Sequence, residues 1–437
     1  MKLHSLLLGA CSLVALTGVA SAETLTIATV NNGDMIRMQK LTDDFTAQHP
    51  DIDLEWVTLE ENVLRQKVTT DIATKGGQYD VMTIGNYEVP IWAKQNWLLE
   101  LSGMPADYDE ADLLPAIAGG LSVDGKLYAA PFYGESAMVM YRTDLAEKAG
   151  VEIPAEPTWD QIMAAAKAMT DKDAGIYGIC LRGKAGWGEN MAFLGAMSNS
   201  YGARWFDMDW KPQFDTDEWK ATLTDYLDMM NNYGPPGASS NGFNENLALF
   251  QQGKCGMWID ATVAASFVTD PKESKVADNV GFALFPEKGD LGNRGNWLWS
   301  WNLAIPASTT KADAAKAFVA WATSKHYTDL VAEQDGWRAA PPGTRTSLYK
   351  NADYQKAAPF AEMTLESINA VDTSKPSVQE IPYTGAQFVS IPEFQGIGTA
   401  VGQQFSAALA GNVTADQALG SAQQLTTREM TKAGYIK

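Results

Sequence analysis

The chain has 437 residues, a formal charge of −20, 46% hydrophobic residues and 14 tryptophans. Such acidity repels phosphate backbones and anionic lipid surfaces, which excludes nucleic acid as a partner, and the apolar content excludes a mostly disordered chain. The length is ample for two domains, each with its own core.

Lys2 opens a short basic region, an apolar run from Leu6 through Val19 follows, and Ala20-Ser21-Ala22 supplies the small residues of an export cleavage site. Residues 1–22 are therefore read as a signal peptide, cleaved near Ala22. The apolar run is too short and wrongly flanked for a membrane span, which needs ~20 apolar residues. Glu23 to Val30 alternates apolar and polar residues and predicts a strand. After the turn Asn31-Asn32-Gly33-Asp34, Met38, Leu41 and Phe45 recur at helical spacing until Pro50. A strand at Leu54–Val57, a helix through Leu64, Val68 and Ile72 and a strand at Tyr79–Ile84 come next. Strand, helix, strand, helix, strand implies a parallel sheet with right-handed crossovers.

The alternation restarts mid-chain. Thr158 and Gln161 form a capping box before a helix carrying Ile162, Ala166 and Met169. Strands follow at Ile176–Leu181, Gly256–Ile259 and Leu303–Ile305, then a helix through Ala315, Phe318, Val319 and Ala322 opened by Thr310. From about Tyr349 the pattern is mostly helical. Two α/β lobes are expected, each with its own sheet. Cys180 and Cys255 survive cleavage, and strand thiols or a disulfide fit equally well. His49 and His326 are the remaining histidines and no H-E-x-x-H motif occurs, so neither a metal nor another cofactor is expected.

Trp297, Trp299 and Trp301 alternate, so within a strand they share one face, with Leu298, Ser300 and Asn302 on the other. A core-packing stripe is the ordinary explanation. A role for one or two of them in a ligand cleft is expected instead, with Trp299 and Trp301 favoured. Flat apolar rings beside hydrogen-bonding groups are what a carbohydrate or polyol needs.

Six segments in order then carry a family likeness: Gly77-Gln78-Tyr79-Asp80-Val81-Met82, Trp97-Leu98-Leu99-Glu100-Leu101, Gly125-Lys126-Leu127-Tyr128-Ala129-Ala130-Pro131, Met140-Tyr141-Arg142-Thr143-Asp144-Leu145, Phe250-Gln251-Gln252-Gly253-Lys254-Cys255-Gly256-Met257 and Leu303-Ala304-Ile305-Pro306-Ala307-Ser308-Thr309. With them the chain resembles the extracellular solute-binding proteins of ATP-binding-cassette (ABC) sugar importers. The Gly295–Asn302 and Gly336–Gly343 stretches look like the branch that binds sorbitol and mannitol. The resemblance implies an α/β, two-lobed periplasmic-binding-protein fold (type II-like), with mainly parallel sheets flanked by helices and a hinge between the lobes. It implies discontinuous lobes: 23–133 with 302–349, and 134–301 with 350–437. It also implies a monomeric, non-enzymatic periplasmic receptor that delivers a small polyol or sugar to permease subunits in the inner membrane.

On this reading the loops after the strands hold the ligand. Asn86, Tyr87 and Glu88 follow the Tyr79–Ile84 strand, and Asn86 is equally able to cap a helix. The turn Asn31–Asp34 has the same double reading. Glu135 sits where the first lobe hands over to the second, at a position where family members often carry a ligand-binding carboxylate. A hinge ion pair with Arg142 or Arg182 is its alternative. Asp260 ends a strand, Arg182 ends another and can donate two bonds to adjacent hydroxyls, and Trp187 lies in the loop after it. Trp337 and Arg338 occupy a Pro-rich loop. In maltodextrin receptors an aromatic follows the late Ile-Pro. Here Ile391-Pro392 is followed by Glu393, which argues against long maltodextrins.

The rival reading is a secreted glycoside hydrolase, with Glu135 and Asp260 as an acid pair ~5–9.5 Å apart. The twice-started α/β pattern falls short of the eight strand–helix units of a barrel hydrolase. Gly134-Glu135-Ser136-Ala137-Met138 misses the nucleophile elbow, and Gly178 through Ala185 misses a P-loop, each at its last residue.

Overall fold

The computed structural model describes residues 22–289 and 291–436, so most of the expected signal peptide lies outside the described residues. Among the described residues eleven strands form in chain order: β1 Glu23–Val30, β2 Ile52–Leu59, β3 Val81–Gly85, β4 Ser122–Val123, β5 Lys126–Leu127, β6 Ala130–Glu135, β7 Ala137–Arg142, β8 Tyr177–Cys180, β9 Cys255–Ala261, β10 Val280–Leu284 and β11 Trp299–Ala304. One sheet runs β2-β1-β3-β11-β6, a second β10-β7-β9-β8, and β4-β5 is a small hairpin. Helices flank both sheets, giving two α/β lobes.

Each sheet has one strand reversed against the rest. β11 is antiparallel to both β3 and β6, and β7 to both β9 and β10, whereas β1 pairs in parallel with β2 and β3, and β8 with β9. The strands are thus mainly codirectional, with the reversed ones placed where the chain changes lobe. β6, β7 and β10 carry no clear periodic signature, because β6 contains Pro131 and Gly134 and β7 is apolar almost throughout.

The sequence-based hand-over points at 133/134 and 301/302 fall inside strands of the first sheet, since β6 runs to Glu135 and β11 begins at Trp299. The crossing segments are stitched together. Ser136 Oγ donates to the Trp297 carbonyl (2.6 Å), Ala137 N–H to Asn296 Oδ1 (2.9 Å), and Ser136 N–H to Thr262 Oγ1 (3.1 Å). Ser136 is therefore a buried structural hydroxyl and not a nucleophile.

Local expectations meet the structure closely in places. The Thr158–Gln161 capping box opens the helix Trp159–Met169. The helix expected through Phe45 is broken at Leu41 into Gly33–Lys40 and Thr42–Gln48. The helix Ala312–Ala322 starts after Lys311 with no side-chain cap, and Thr309, not Thr310, makes polar contacts just before it, with Asp80 and Lys311 N–H. Cys180 and Cys255 are joined by a disulfide between β8 and β9. Among the described residues no helix is long and apolar enough to cross a membrane, and no group of three or more His, Cys, Asp or Glu is disposed to hold a metal ion.

Candidate functional site

The two sheets point the carboxyl ends of most of their strands at a common cleft. Because β11 runs against its neighbours, its first residues lie beside the last residues of β3 and β6. Trp299 stands opposite Glu135 on β6, and Trp301 stands opposite Tyr133 on β6 and Gly85 on β3. Tyr133, Glu135, Trp299 and Trp301 thereby share one sheet face, as the period of two requires. A register shift between Trp301 and Asn302 ends that pairing frame. Gly85 is required here, since a Cβ at this position would lie 1.9 Å from the Trp299 ring.

This face forms the floor of a cavity enclosing about 810 Å³ between atoms, mouth included. First-lobe residues Asn31, Asn32, Glu60, Glu61 and Arg65 line it, facing Arg182, Lys184, Trp187 and Glu189 from the loop after β8. Phe243, Asn244 and Glu245 at the start of the helix Phe243–Gln251 complete that wall, with Trp297 and Gln387 beside them.

Two guanidinium groups organise the cavity. Arg65 lies 4.1 Å from the Trp187 ring and 4.7 Å from those of Trp299 and Trp301, and pairs with Glu61 (2.8 Å) and Glu88 (3.2 Å). Arg182 lies 5.4 Å from the Phe243 ring and 5.7 Å from that of Trp297, and grips Asp260 through Nη2 (2.7 Å) and Nε (2.9 and 3.1 Å). Its Nη1 donates to the Gly188 carbonyl. Both cations are thus neutralised by carboxylates and wrapped by aromatic faces, an attraction stronger in a desolvated site.

The carboxylates facing the cavity are less satisfied. The Glu135 side chain makes no hydrogen bond or ion pair with any described residue, although the residue is 5% exposed. Burial pushes its carboxyl well above the ordinary range, opposed by Arg182 and reinforced by Asp260. Glu189 leaves Oε2 without a hydrogen-bond partner, 3.8 Å from Arg182 Nη1. Burial and the charge of Glu61 push its carboxyl up to about 7, against the pull of Arg182 and Lys184. The Trp297 indole N–H is a buried, unpartnered donor. Unpaired acceptors and donors beside flat rings match a neutral polyhydroxylated guest, whose hydroxyls both donate and accept.

Glu189 carries a pH prediction. Its folded-state pKa lies above its ordinary 4.5, so its contribution to stability is fully present below pH 4.5 and lost as pH rises through about 7. Wild type is expected to lose roughly 3 kcal/mol relative to Glu189→Gln between pH 4.5 and 8. Urea unfolding of both proteins at the two pH values checks this, and parallel pH profiles would refute it.

Of the residues singled out from sequence, Glu135, Arg182, Trp187, Trp299 and Trp301 line the cavity, and Trp297 joins them, so all three alternating tryptophans face it. Four others stand behind the lining. Asn86 brackets β11, donating to the Leu298 carbonyl (3.3 Å) and accepting from Ser300 N–H (3.4 Å). Tyr87 donates to the Ile391 carbonyl (2.7 Å) and packs 4.8 Å from Trp187. Glu88 accepts from Gly85 N–H and holds Arg65. Asp260, fully buried, is spent on Arg182, Trp258 Nε1 and its own strand end. It does not reach the cavity, which removes it as the partner of Glu135 in an acid pair. Trp337 and Arg338 lie outside the lining, in a short helix where Arg338 pairs with Asp270 (3.3 Å).

Arg65, Glu61, Lys184, Asn244 and Gln387 escaped the sequence reading. Arg65 and Glu61 sit four apart in the helix Glu61–Thr74 and read as an ordinary surface ion pair. Asn32 takes the capping role, accepting from Met35 N–H at the start of the helix Gly33–Lys40; it also lines the cavity and donates to Tyr133 Oη (2.7 Å).

Residues 32–329 match the family model described as bacterial extracellular solute-binding protein. The chain is 59% identical over 417 residues to the mannitol-binding protein of Pseudomonas aeruginosa, covering 95% of each chain. A crystal structure of an ABC transporter solute-binding protein from Agrobacterium vitis S4 with bound D-mannitol superposes with TM-score 0.94 at 74% identity, over 95% of this chain and 100% of that one. A ribitol complex of a solute-binding protein from Agrobacterium radiobacter K84 shares the fold, with TM-score 0.82 at 24% identity, over 94% and 99% of the two chains.

Proposed function

The chain belongs to the bacterial extracellular solute-binding protein family, and on that footing we propose that it is the receptor of an ABC importer, capturing an acyclic hexitol, D-mannitol foremost. The observation that carries the reading is the cavity floor, where the unpartnered carboxyl of Glu135 faces ligand space beside the rings of Trp299 and Trp301. A carboxylate accepts only, so it fixes the direction of the hydroxyls it meets, while the rings cover C–H edges and exclude water. The likeness to a mannitol-binding protein and to a D-mannitol complex supports the same ligand.

The receptor would work in the periplasm as a monomer after removal of residues 1–22 and hand its ligand to inner-membrane permease subunits. Its lobes would be built on the two sheets, joined at Glu135–Ala137 and at the segment before Trp299. Nothing in the cavity performs chemistry on the guest in this reading: Asp260, the acid that the hydrolase reading pairs with Glu135, is tied to Arg182 and does not line the cavity.

A thermal-shift and calorimetry panel tests it. D-Mannitol or D-sorbitol should stabilise the protein by about 2.7 kcal/mol at a hundredfold excess over Kd, and maltose should not. Stabilisation by maltose alone would overturn the hexitol assignment.

A further inference from the structure

The loop Lys184–Glu189 after β8 lies along the first turn of the helix Glu61–Thr74, which packs on β1 and β2 of the other lobe. Contacts occur along its length. Lys184 pairs with Glu60, Asn62 Nδ2 donates to the Ala185 carbonyl (3.4 Å), and Trp187 covers the Arg65 guanidinium. Gly186 and Gly188 flank that tryptophan. Neither has a positive φ, so the backbone conformation does not call for glycine at either position. The opposing lobe does. A Cβ on Gly188 would lie 2.4 Å from Glu61 Oε1 and 2.9 and 3.1 Å from Arg65 Nη2 and Nε, with nothing of its own lobe among those neighbours. A Cβ on Gly186 would lie 2.6 Å from Asn62 Oδ1 across the cleft and 3.2 Å from Glu189 Cγ on its own side, so the clean case is Gly188.

Arg65 cannot yield easily. Its Nε and Nη2 are held by Glu61, its Nη1 by Glu88, and its faces by three indoles. All three of these nitrogens are engaged with carboxylates of its own lobe, and the contact it makes across the cleft is with Trp187.

We propose that Gly186-Trp187-Gly188 is the seat into which Arg65 and Glu61 lock, a latch that sets affinity by holding the lobes shut. Arg65 is a positioning residue in this scheme. Gly188 is small because a side chain there is a wedge, felt when the lobes meet and harmless when they part. Differential stability of the closed state then controls ligand residence.

The proposal rests on the hexitol reading, and Gly188→Ala tests it with D-mannitol. Affinity is expected to fall about tenfold to hundredfold, the span of an overpacked contact, through faster dissociation with an unchanged association rate. Small-angle scattering should show wild type compacting with mannitol and the variant remaining extended. The melting temperature without ligand should not move. In a Glu61→Ala background the alanine should cost less, because its obstacle is shorter. Gly186→Ala, outside the cavity lining, should act in the same direction. Wild-type compaction and dissociation rate in Gly188→Ala would overturn the latch, as would a loss of ligand-free stability matching the lost affinity, or strict additivity with Glu61→Ala. If another sugar of the panel, and not mannitol, compacts the wild type and Gly188→Ala blocks it, the hexitol reading falls and the latch stands.

Discussion

Replacing Glu135 with Gln is expected to weaken mannitol binding about a hundredfold while leaving the ligand-free protein at least as stable. The two effects have one origin. Glu135 lies at the end of β6 opposite Trp299, buried, with no protein donor to its carboxyl among the described residues. Its carboxyl titrates well above the ordinary range, chiefly from burial. A raised carboxyl pKa means that ionisation at neutral pH costs folding energy, and that cost is absent in the amide. Hydroxyl donors from a polyol would offset it on binding. Hydrogen bonds to a charged group contribute ~1.5–3 kcal/mol each, so losing even part of two such bonds reaches the predicted factor. Calorimetry with mannitol and a melt of the ligand-free variant measure the two halves separately. Unchanged affinity would remove Glu135 from the ligand shell, and a large drop in melting temperature would make it a structural residue.

Asp260→Ala behaves in the opposite way and is expected to destabilise the protein by about 3–5 kcal/mol. The sequence placed Asp260 at a strand end among the candidate ligand contacts. Instead Asp260 is fully buried and holds Arg182 at 2.7, 2.9 and 3.1 Å. Removing it strands a buried guanidinium whose next carboxylate, Glu189, is 3.8 Å away and itself protonates near neutrality. Urea unfolding reads the loss directly. The double variant Arg182→Met/Asp260→Leu should recover part of the stability, because no guanidinium is left stranded while Trp258 Nε1 still loses its acceptor, yet should not recover affinity, because Arg182 lines the cavity. If Asp260→Ala unfolds at the wild-type midpoint, the pair does not support the fold as described.

In the first sixty mature residues β1 and the helix Glu61–Thr74 were legible because each obeys its period, whereas the break at Leu41 was not. β1 alternates, and Leu64, Val68 and Ile72 bury one helix face. β6 and β7 were not legible. A Pro, a Gly and an unbroken apolar run erase the period of two exactly where the chain leaves one sheet for the other. The site divides in the same way. Trp187, Trp299, Trp301 and Arg182 could be named because aromatic rings and charges at strand ends are unusual enough to stand out, whereas Glu135 could be named only through the family resemblance at the hand-over between lobes. Arg65 and Glu61 could not, since spacing of four on a polar helix describes most surface ion pairs. Asn86, Tyr87, Glu88 and Asp260 were placed one layer too far forward. A residue number after a strand gives proximity to a cleft, but which partner consumes the side chain is a question of neighbours far away in sequence, such as Ile391 for Tyr87.

The chain by itself determined the α/β character, the pair of sheets and the shared face of Trp299 and Trp301, all of which follow from local periodicity. Only the tertiary structure decided that this face opens on a cavity and not on a core. That outcome depends on β11 running antiparallel between β3 and β6, which brings the beginning of one strand beside the ends of two others. Strand direction within a sheet is set by long-range hydrogen bonding and chain crossover, and no local pattern of side chains encodes it.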